Sequence, residues 1–393
     1  MSTPSLHDAV QALAGETIHL RRDLHRYPET AFEEHRTSDL VATRLAALGL
    51  QVRRNLGKTG VVGLLDSGRP GRTVLVRADM DALPIQEERD TPYRSTINGK
   101  MHACGHDGHT AILLTTAKIF AQSPESLSGK ILFLFQPAEE VGNGAAAMLS
   151  DGALAGITVD AVLGLHLTTE LPVGTVAARP GAALAATDMF TIQVVGRGGH
   201  AARPQETVDP LLMAAHIITM VQSLVAREVD PVDTAVLSIT SIHGGTTFNI
   251  IPEQVTMQGT LRTFQPATRT MLQERLGTIV RGTAQTLRGE AALTWQEGTP
   301  AVVNDPEMTE RFLRVAREVV GPQRVLTPPP ITAGDDMALW LQQAPGCYFF
   351  VGARNEAKGI DKPHHHPQFD IDEQALPLGV ELLCQGIHDF LRS

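Results

Sequence analysis

The chain has 393 residues, 42% apolar and 19% charged, with 33 Lys and Arg against 43 Asp and Glu. A formal charge of −10 without any basic block argues against a nucleic-acid or anionic-membrane partner. No run approaches the ~20 consecutive apolar residues of a membrane span, and three cysteines do not make a disulfide framework. The length predicts two or three domains. Met1–Ser5 carries neither a basic nor an apolar leader segment, so a cytoplasmic protein is expected.

Residues 5–48 read as helical, with apolar faces marked by Leu20, Leu24, Leu40 and Leu45 and a break at Tyr27-Pro28-Glu29. Gly49 closes the second helix. Short strands are expected at Val61–Leu65 and Thr73–Arg77, the latter running into Asp79 and Asp81. Those two carboxylates could be plain surface charges or could orient a metal-binding imidazole. Met101-His102-Ala103-Cys104-Gly105-His106-Asp107-Gly108-His109 follows, three His, one Cys and one Asp in nine residues. Thiolate beside imidazole suits zinc, and an added carboxylate widens the choice towards manganese. A helix is expected from Thr110. It would leave Cys104 and His106 in a loop at a helix N-terminus, where the dipole favours a thiolate.

Lys130–Phe135 is a continuous apolar run of the kind buried on both faces, and it ends in Gln136-Pro137-Ala138-Glu139-Glu140. Adjacent carboxylates at the end of a buried strand need partners; one can hold metal while its neighbour acts as general base. Asp160–Leu167 is a further buried strand with His166 at its end. From Ala185 to Gln296 the pattern changes to an independent αβ segment. Its strands are Thr187–Val195, Thr234–Ser241, Val255–Arg262 and Ala292–Gln296, with helices over Val208–Arg227 and Ala267–Leu287. The expected division is a catalytic domain over 1–184 and 298–393, interrupted by a four-stranded, two-helix domain over 185–297. The Gly-rich Gly196–Ala201 lacks the strand–helix context of a nucleotide site. The first pattern returns with a helix near Glu307–Val320, a buried strand Tyr348–Val351, the run His364-His365-His366 and a closing helix Asp372–Leu391.

Cys104, His106, Glu139, Glu140, His166 and one C-terminal His all fall at expected strand ends or adjoining loops. In open α/β sheets, sites collect at the carboxyl ends of strands. Five ligands and a spare carboxylate fit a two-metal hydrolase.

At this point the sequence resembles the aminoacylase and carboxypeptidase-type binuclear metallopeptidases, and within them the N-acyl-amino-acid amidohydrolases of hippurate and indoleacetyl-amino-acid type. The resemblance spans nearly the whole chain. It rests on Arg77–Pro84, Met101–His109, Gln136–Glu140, Gly164–His166, Gly199–Ala201, Gly245 with Asn249–Pro252, Gly259–Arg262 and His365–Phe369. It implies an α/β, zinc-peptidase-like catalytic domain with an inserted dimerisation domain, hence a homodimer or higher oligomer. It implies two divalent cations per subunit, Mn2+ or Zn2+, with Co2+ and Ni2+ as further candidates. Cys104, His106, Glu140, His166 and His365 would be the ligands, with Cys104 bridging, and Glu139 the general base. Asp79 and Asp81 would support the ligands from behind. His200 would stabilise the oxyanion, and Asn249 and Arg262 would bind substrate. Two departures from the family pattern are Asp335-Asp336, where relatives often read Glu-Asp, and His366, where Ser or Thr is common. The implied reaction is hydrolysis of an N-acyl amino acid by a metal-activated water, its pKa lowered from roughly 15.7 towards about 7. A di- or tripeptidase and a catalytically silent metal-binding scaffold are the alternatives.

Overall fold

The computed structural model describes residues 5–124 and 127–392, which form a mixed α/β protein of two compact units. Met1–Pro4, on which the cytoplasmic expectation rests, lie outside the described residues. The larger unit comprises Met1–Ala183, Val303–Pro329 and Asp335–Ser393; the smaller comprises Leu184–Val302 and Pro330–Gly334.

The larger unit is built on an eight-stranded sheet. Its order is Gln51–Leu56, Gly60–Asp66, Lys130–Gln136, Thr73–Asp79, Ala161–Pro172, Gly346–Arg354, Val176–Ala177 and Val325–Leu326. The four central strands, Lys130–Gln136 to Gly346–Arg354, run parallel. Thr73–Asp79 is buried at every position, as a strand covered on both faces requires. Alternation along Ala161–Pro172 shows the two covers. Leu163, Leu165 and Leu167 join the core with helices His106–Ala121 and Ala375–Arg392. On the opposite face, a Cβ added at Gly164 would lie 2.8 Å from Met337 Cε, in the short helix Met337–Leu341.

The first helix, Leu6–Arg26, opens on a capping box in which Ser5 and Asp8 satisfy each other's backbone N–H. The second is His35–Ala47. The third begins at His106, four residues earlier than expected, and is buried almost all round. Its cap, Gly105, has φ 87, a left-handed conformation that glycine adopts without steric cost. The strand carrying His166 also differs from expectation, continuing to Pro172. Its pairing with Thr73–Asp79 stops at Gly164, so beyond that point it is held on one side only, by Gly346–Arg354.

The smaller unit is an antiparallel sheet ordered Ala235–His243, Gln254–Thr263, Ala186–Val195 and Glu290–Glu297. Helices Pro210–Arg227 and Pro266–Thr286 complete its core, each starting on a proline whose missing N–H costs a first turn nothing. Pro210–Arg227 is long and apolar enough to cross a membrane by length and composition alone. Met213, Ala214, Ile217, Val221 and Leu224 nevertheless bury one face of it in the unit's core.

Candidate metal centre

The parallel strands of the larger unit deliver the site. Asp79 ends Thr73–Asp79, and Glu139 and Glu140 form a turn just past Lys130–Gln136. Cys104, His106 and His166 bring ligand atoms within 4.8 Å of one another, as do Cys104, Glu140 and His365, and His106, Glu139 and Glu140. Cys104 Sγ lies 3.6 Å from His166 Nε2 and 3.4 Å from His364 Nδ1. His106 Nε2 is 3.9 Å from both Glu139 and Glu140, and His365 Nε2 is 3.3 Å from Glu140.

Hydrogen bonding sets which nitrogens are available. His106 Nδ1 meets the Asp81 carbonyl at 2.9 Å and His166 Nδ1 meets the Leu167 carbonyl at 2.7 Å. A carbonyl accepts only, so each Nδ1 must donate, which leaves Nε2 as the nitrogen that can face a cation. Against burial, Asp79 and then Asp81 hold the His106 imidazole well above its ordinary range, and a bound cation would have to displace that proton. His109, in the same motif, is spent: Nδ1 donates to Asp79 at 2.6 Å and Nε2 accepts the Leu167 N–H at 2.9 Å. The Asp81 carboxylate accepts the N–H groups of Glu139 and Glu140 at 3.0 and 3.1 Å, fixing the turn that carries both side chains. Asp79 and Asp81 thus touch the imidazoles and the acidic turn.

A divalent cation fits this donor set. His106 Nε2 and Glu140 Oε1 are buried and without a hydrogen-bond partner. Burial first, then the neighbouring imidazoles of His109 and His364, hold His166 well below the ordinary histidine range, in the neutral form a ligand needs. The expectation that the helix N-terminus favours a thiolate is corrected. Burial first, reinforced by Glu140, pushes the Cys104 thiol well above its usual range. A bound cation is the charge that would reverse this balance.

Behind the turn lies a network whose carboxylates, Asp335 and Asp336, the sequence singled out, but whose hub at Arg77 it did not. Arg77, buried at the end of its strand, donates to Asp79 at 2.6 Å, to Asp336 at 3.0 Å, to Asp335 at 3.2 Å and to Gln136 at 2.9 Å. Tyr348 OH donates to Asp335 at 2.6 Å. Glu139, Asp335 and Asp336 bring carboxylate oxygens within 4.8 Å of one another. Burial, then Asp335 and Glu140, raises the Glu139 carboxyl well above its ordinary range; burial likewise carries Asp336 to about 7 against the pull of Arg77. A Gly-Asp-Asp after a Pro-rich connector was the available signal.

The remaining expected residues lie in the smaller unit. Gly199-His200 pairs with Ile250–Ile251, and the Ala201 N–H donates to the Asn249 carbonyl at 3.0 Å, so exposed His200 and Asn249 are neighbours. Arg262 is half-buried in strand Gln254–Thr263 and donates to Thr260 Oγ1 beside it.

The chain is 39% identical over 384 residues to the N-acetyl-L-cysteine deacetylase of Bacillus subtilis, covering 98% of this chain and 90% of that one. It is 38% identical over 380 residues to the IAA-amino acid hydrolase ILR1-like 2 of Arabidopsis thaliana, covering 96% and 85%. The crystal structure of the Bacillus subtilis YXEP protein, a dinuclear metal binding peptidase from the M20 family, superposes with a TM-score of 0.84 at 32% identity, covering 97% of this chain and 99% of that one. Peptidase family M20/M25/M40 matches residues 75–389, a span from Leu75 to Asp389 that takes in the whole candidate centre. The chain belongs to that family and is a metal-dependent hydrolase acting on amides.

Proposed function

We propose that this protein hydrolyses the amide bond of N-acyl amino acids to a carboxylic acid and a free amino acid, with Glu139 as general base. One observation carries the reading: Cys104, His106, Glu140, His166 and His365 supply five donors to overlapping clusters, and Glu139 adds a carboxylate beside them. The relatives named above act, by their names, on an N-acetyl amino acid and on indoleacetyl-amino acid conjugates, which supports an acyl-amino-acid substrate.

An amide resists hydrolysis because water is a weak nucleophile and the amine a poor leaving group. Two divalent cations, Mn2+ or Zn2+, held by the five residues above would polarise the acyl oxygen and acidify water. Glu139 takes a proton from the attacking water and returns it to the departing nitrogen. Its burial among Asp335, Glu140 and Asp336 gives it the raised basicity this shuttle needs. Asp81 holds the base and the adjacent ligand on one rigid turn. His200 is assigned as the oxyanion donor, Asn249 and Arg262 as substrate-binding groups, and the smaller unit as the homodimerisation module.

The test is amine release from a panel of N-acyl amino acids, namely hippurate, N-acetyl-methionine and an indoleacetyl conjugate, with a free dipeptide beside them. Chelated protein is reloaded with Mn2+ or Zn2+. Metal-dependent cleavage of an acyl amino acid is expected. Cleavage of the dipeptide alone would make it a di- or tripeptidase, and no release with two ions bound would leave a silent scaffold. Glu139→Gln is expected to keep its metal and lose kcat by about 10²–10⁴-fold.

A further inference from the structure

Glu34 is fully buried at the start of helix His35–Ala47, in the position of its N-cap, yet it makes no side-chain cap bond to that helix. Glu29 does the capping instead, accepting the Arg36 and Thr37 N–H groups, each at 2.8 Å. The Glu34 carboxylate is released to reach elsewhere. It accepts the Ala138 N–H at 2.9 Å, the Phe32 N–H at 3.0 Å and the Thr59 hydroxyl at 2.5 Å. Ala138 is itself unusual: a buried, non-glycine residue with φ 54 and ψ 38, directly before Glu139. A left-handed conformation at a residue with a Cβ persists only where its surroundings impose it.

We infer that Glu34 is a positioning residue for the acidic turn. Its carboxylate pins the Ala138 N–H, holds the left-handed kink and so sets the direction in which Glu139 leaves the strand. Asp81 fixes the far side of the same turn through the Glu139 and Glu140 N–H groups. The two buried carboxylates are mechanically linked, since the Ala82 N–H beside Asp81 donates to the Glu29 carbonyl at 2.8 Å, in the loop that leads to Glu34. This inference rests on Glu139 being the general base.

The experiment measures kcat and KM for Glu34→Ala, Glu34→Gln and Thr59→Val, each with Glu139 intact and with Glu139→Gln. The substrate is the acyl amino acid turned over fastest in the panel, at saturating metal; Zn2+ affinity of each metal-free full-length variant is titrated separately. Glu34→Ala is expected to lower kcat about 10- to 100-fold and to weaken Zn2+ binding about tenfold, because Glu140 rides on the same turn. Glu34→Gln keeps an acceptor for the Ala138 N–H and is expected to restore kcat to within about threefold. On the Glu139→Gln background, Glu34→Ala should cost no further activity, since both changes disable one device. Should Glu34→Ala not fold, Thr59→Val, which keeps the side-chain shape, carries the test with a smaller but equally non-additive loss of kcat. Wild-type kcat and Zn2+ affinity in the folded variants, or an equal loss on both backgrounds, overturns the inference while leaving the base assignment standing. Near-normal kcat in Glu139→Gln alone overturns that assignment and this inference with it.

Discussion

Replacing Arg77 with Met would test whether the charge network behind the acidic turn is a structural necessity. The Arg77 side chain is 1% exposed and faces Asp79, Asp335 and Asp336, themselves between 0% and 4% exposed, at 2.6 to 3.2 Å. Methionine fills much of the same volume but leaves three buried carboxylates without their shared cation. Breaking a buried pair from one side costs about 3–5 kcal/mol. Asp335 keeps the Tyr348 hydroxyl and Met337 N–H, and Asp336 keeps Gln136 and the Ala145 N–H, which places the expected loss near the middle of that range. For a chain of 393 residues, at about 2.1 cal/mol/K of unfolding entropy per residue, each kcal/mol shifts the melting transition by about 1.2 °C, so a loss of about 4 kcal/mol lowers it by about 5 °C. The assay is calorimetry of the metal-free full-length protein at about pH 7.5 and about pH 5.5, one on either side of the Asp336 transition at about 7. The sign of the pH effect follows from Asp336, whose folded pKa of about 7 lies above its ordinary 3.8. A raised carboxyl pKa means the native state binds the proton more tightly. It therefore penalises folding increasingly as pH climbs from about 3.8 towards 7. Without Arg77 that penalty deepens, so the deficit of the variant should shrink at the lower pH. A drop under about 2 °C at pH 7.5, or a deficit that widens on acidification, would refute the reasoning.

Three further outcomes are expected. Cys104→Ala should lower metal occupancy, measured by plasma emission on the desalted protein, and full loading with unchanged activity would count against a ligand role. Gly259→Ala would put a Cβ 2.3 Å from the Phe190 ring and 2.4 Å from the Ser238 carbonyl, both in neighbouring strands. Overpacking of this kind costs about 1–3 kcal/mol, readable as a lower urea midpoint. His25 is buried against Asp107 at 2.7 Å and Glu87 at 3.2 Å. Burial and Arg21 oppose its charge, but the carboxylates win and its pKa is raised above 6.5. Its contribution to stability is full below pH 6.5 and is lost as pH rises through the raised folded value. His25→Gln should be less stable at pH 6, with the gap closing at alkaline pH; a gap independent of pH would remove His25 from the titrating groups.

Strands and helices with strong periodicity were legible in the sequence to within a few residues. The four strands and two helices of the smaller unit carry their own alternation and capping prolines, and the apolar run Lys130–Phe135 reads as a buried strand. The clustering of Cys104, His106, Glu139, Glu140 and His166 was legible because strand ends concentrate polar groups that a buried sheet cannot otherwise hold. What stayed hidden depends on pairings across long stretches of chain. Nothing local marks His166 as lying level with the end of Thr73–Asp79 while its own strand runs on to Pro172. Nothing local says that Arg77 meets Asp336 or that Glu34 meets Ala138. The Cys104 thiol shows the limit of a local rule. A helix N-terminus suggests an anion, but burial first, and then the carboxylates of Glu140 and Glu139 brought from another strand end, push the thiol the other way.

The ligand atoms of Cys104 and His365 share one cluster with Glu140, although they come from opposite ends of the sequence, and the neighbouring His364 is separated from Cys104 by 260 positions. A cation gripping both would act on the unfolded chain as a staple. Closing a loop of that length removes chain entropy worth about 5–6 kcal/mol at room temperature in the simple polymer estimate. The whole smaller unit falls inside the closed loop, since Leu184–Val302 lies between the two anchor points. Chelation should therefore act on this protein as reduction acts on a disulfide-bonded one. It would loosen the denatured ensemble as well as strip the chemistry, and a fragment ending before His365 would forfeit the staple entirely.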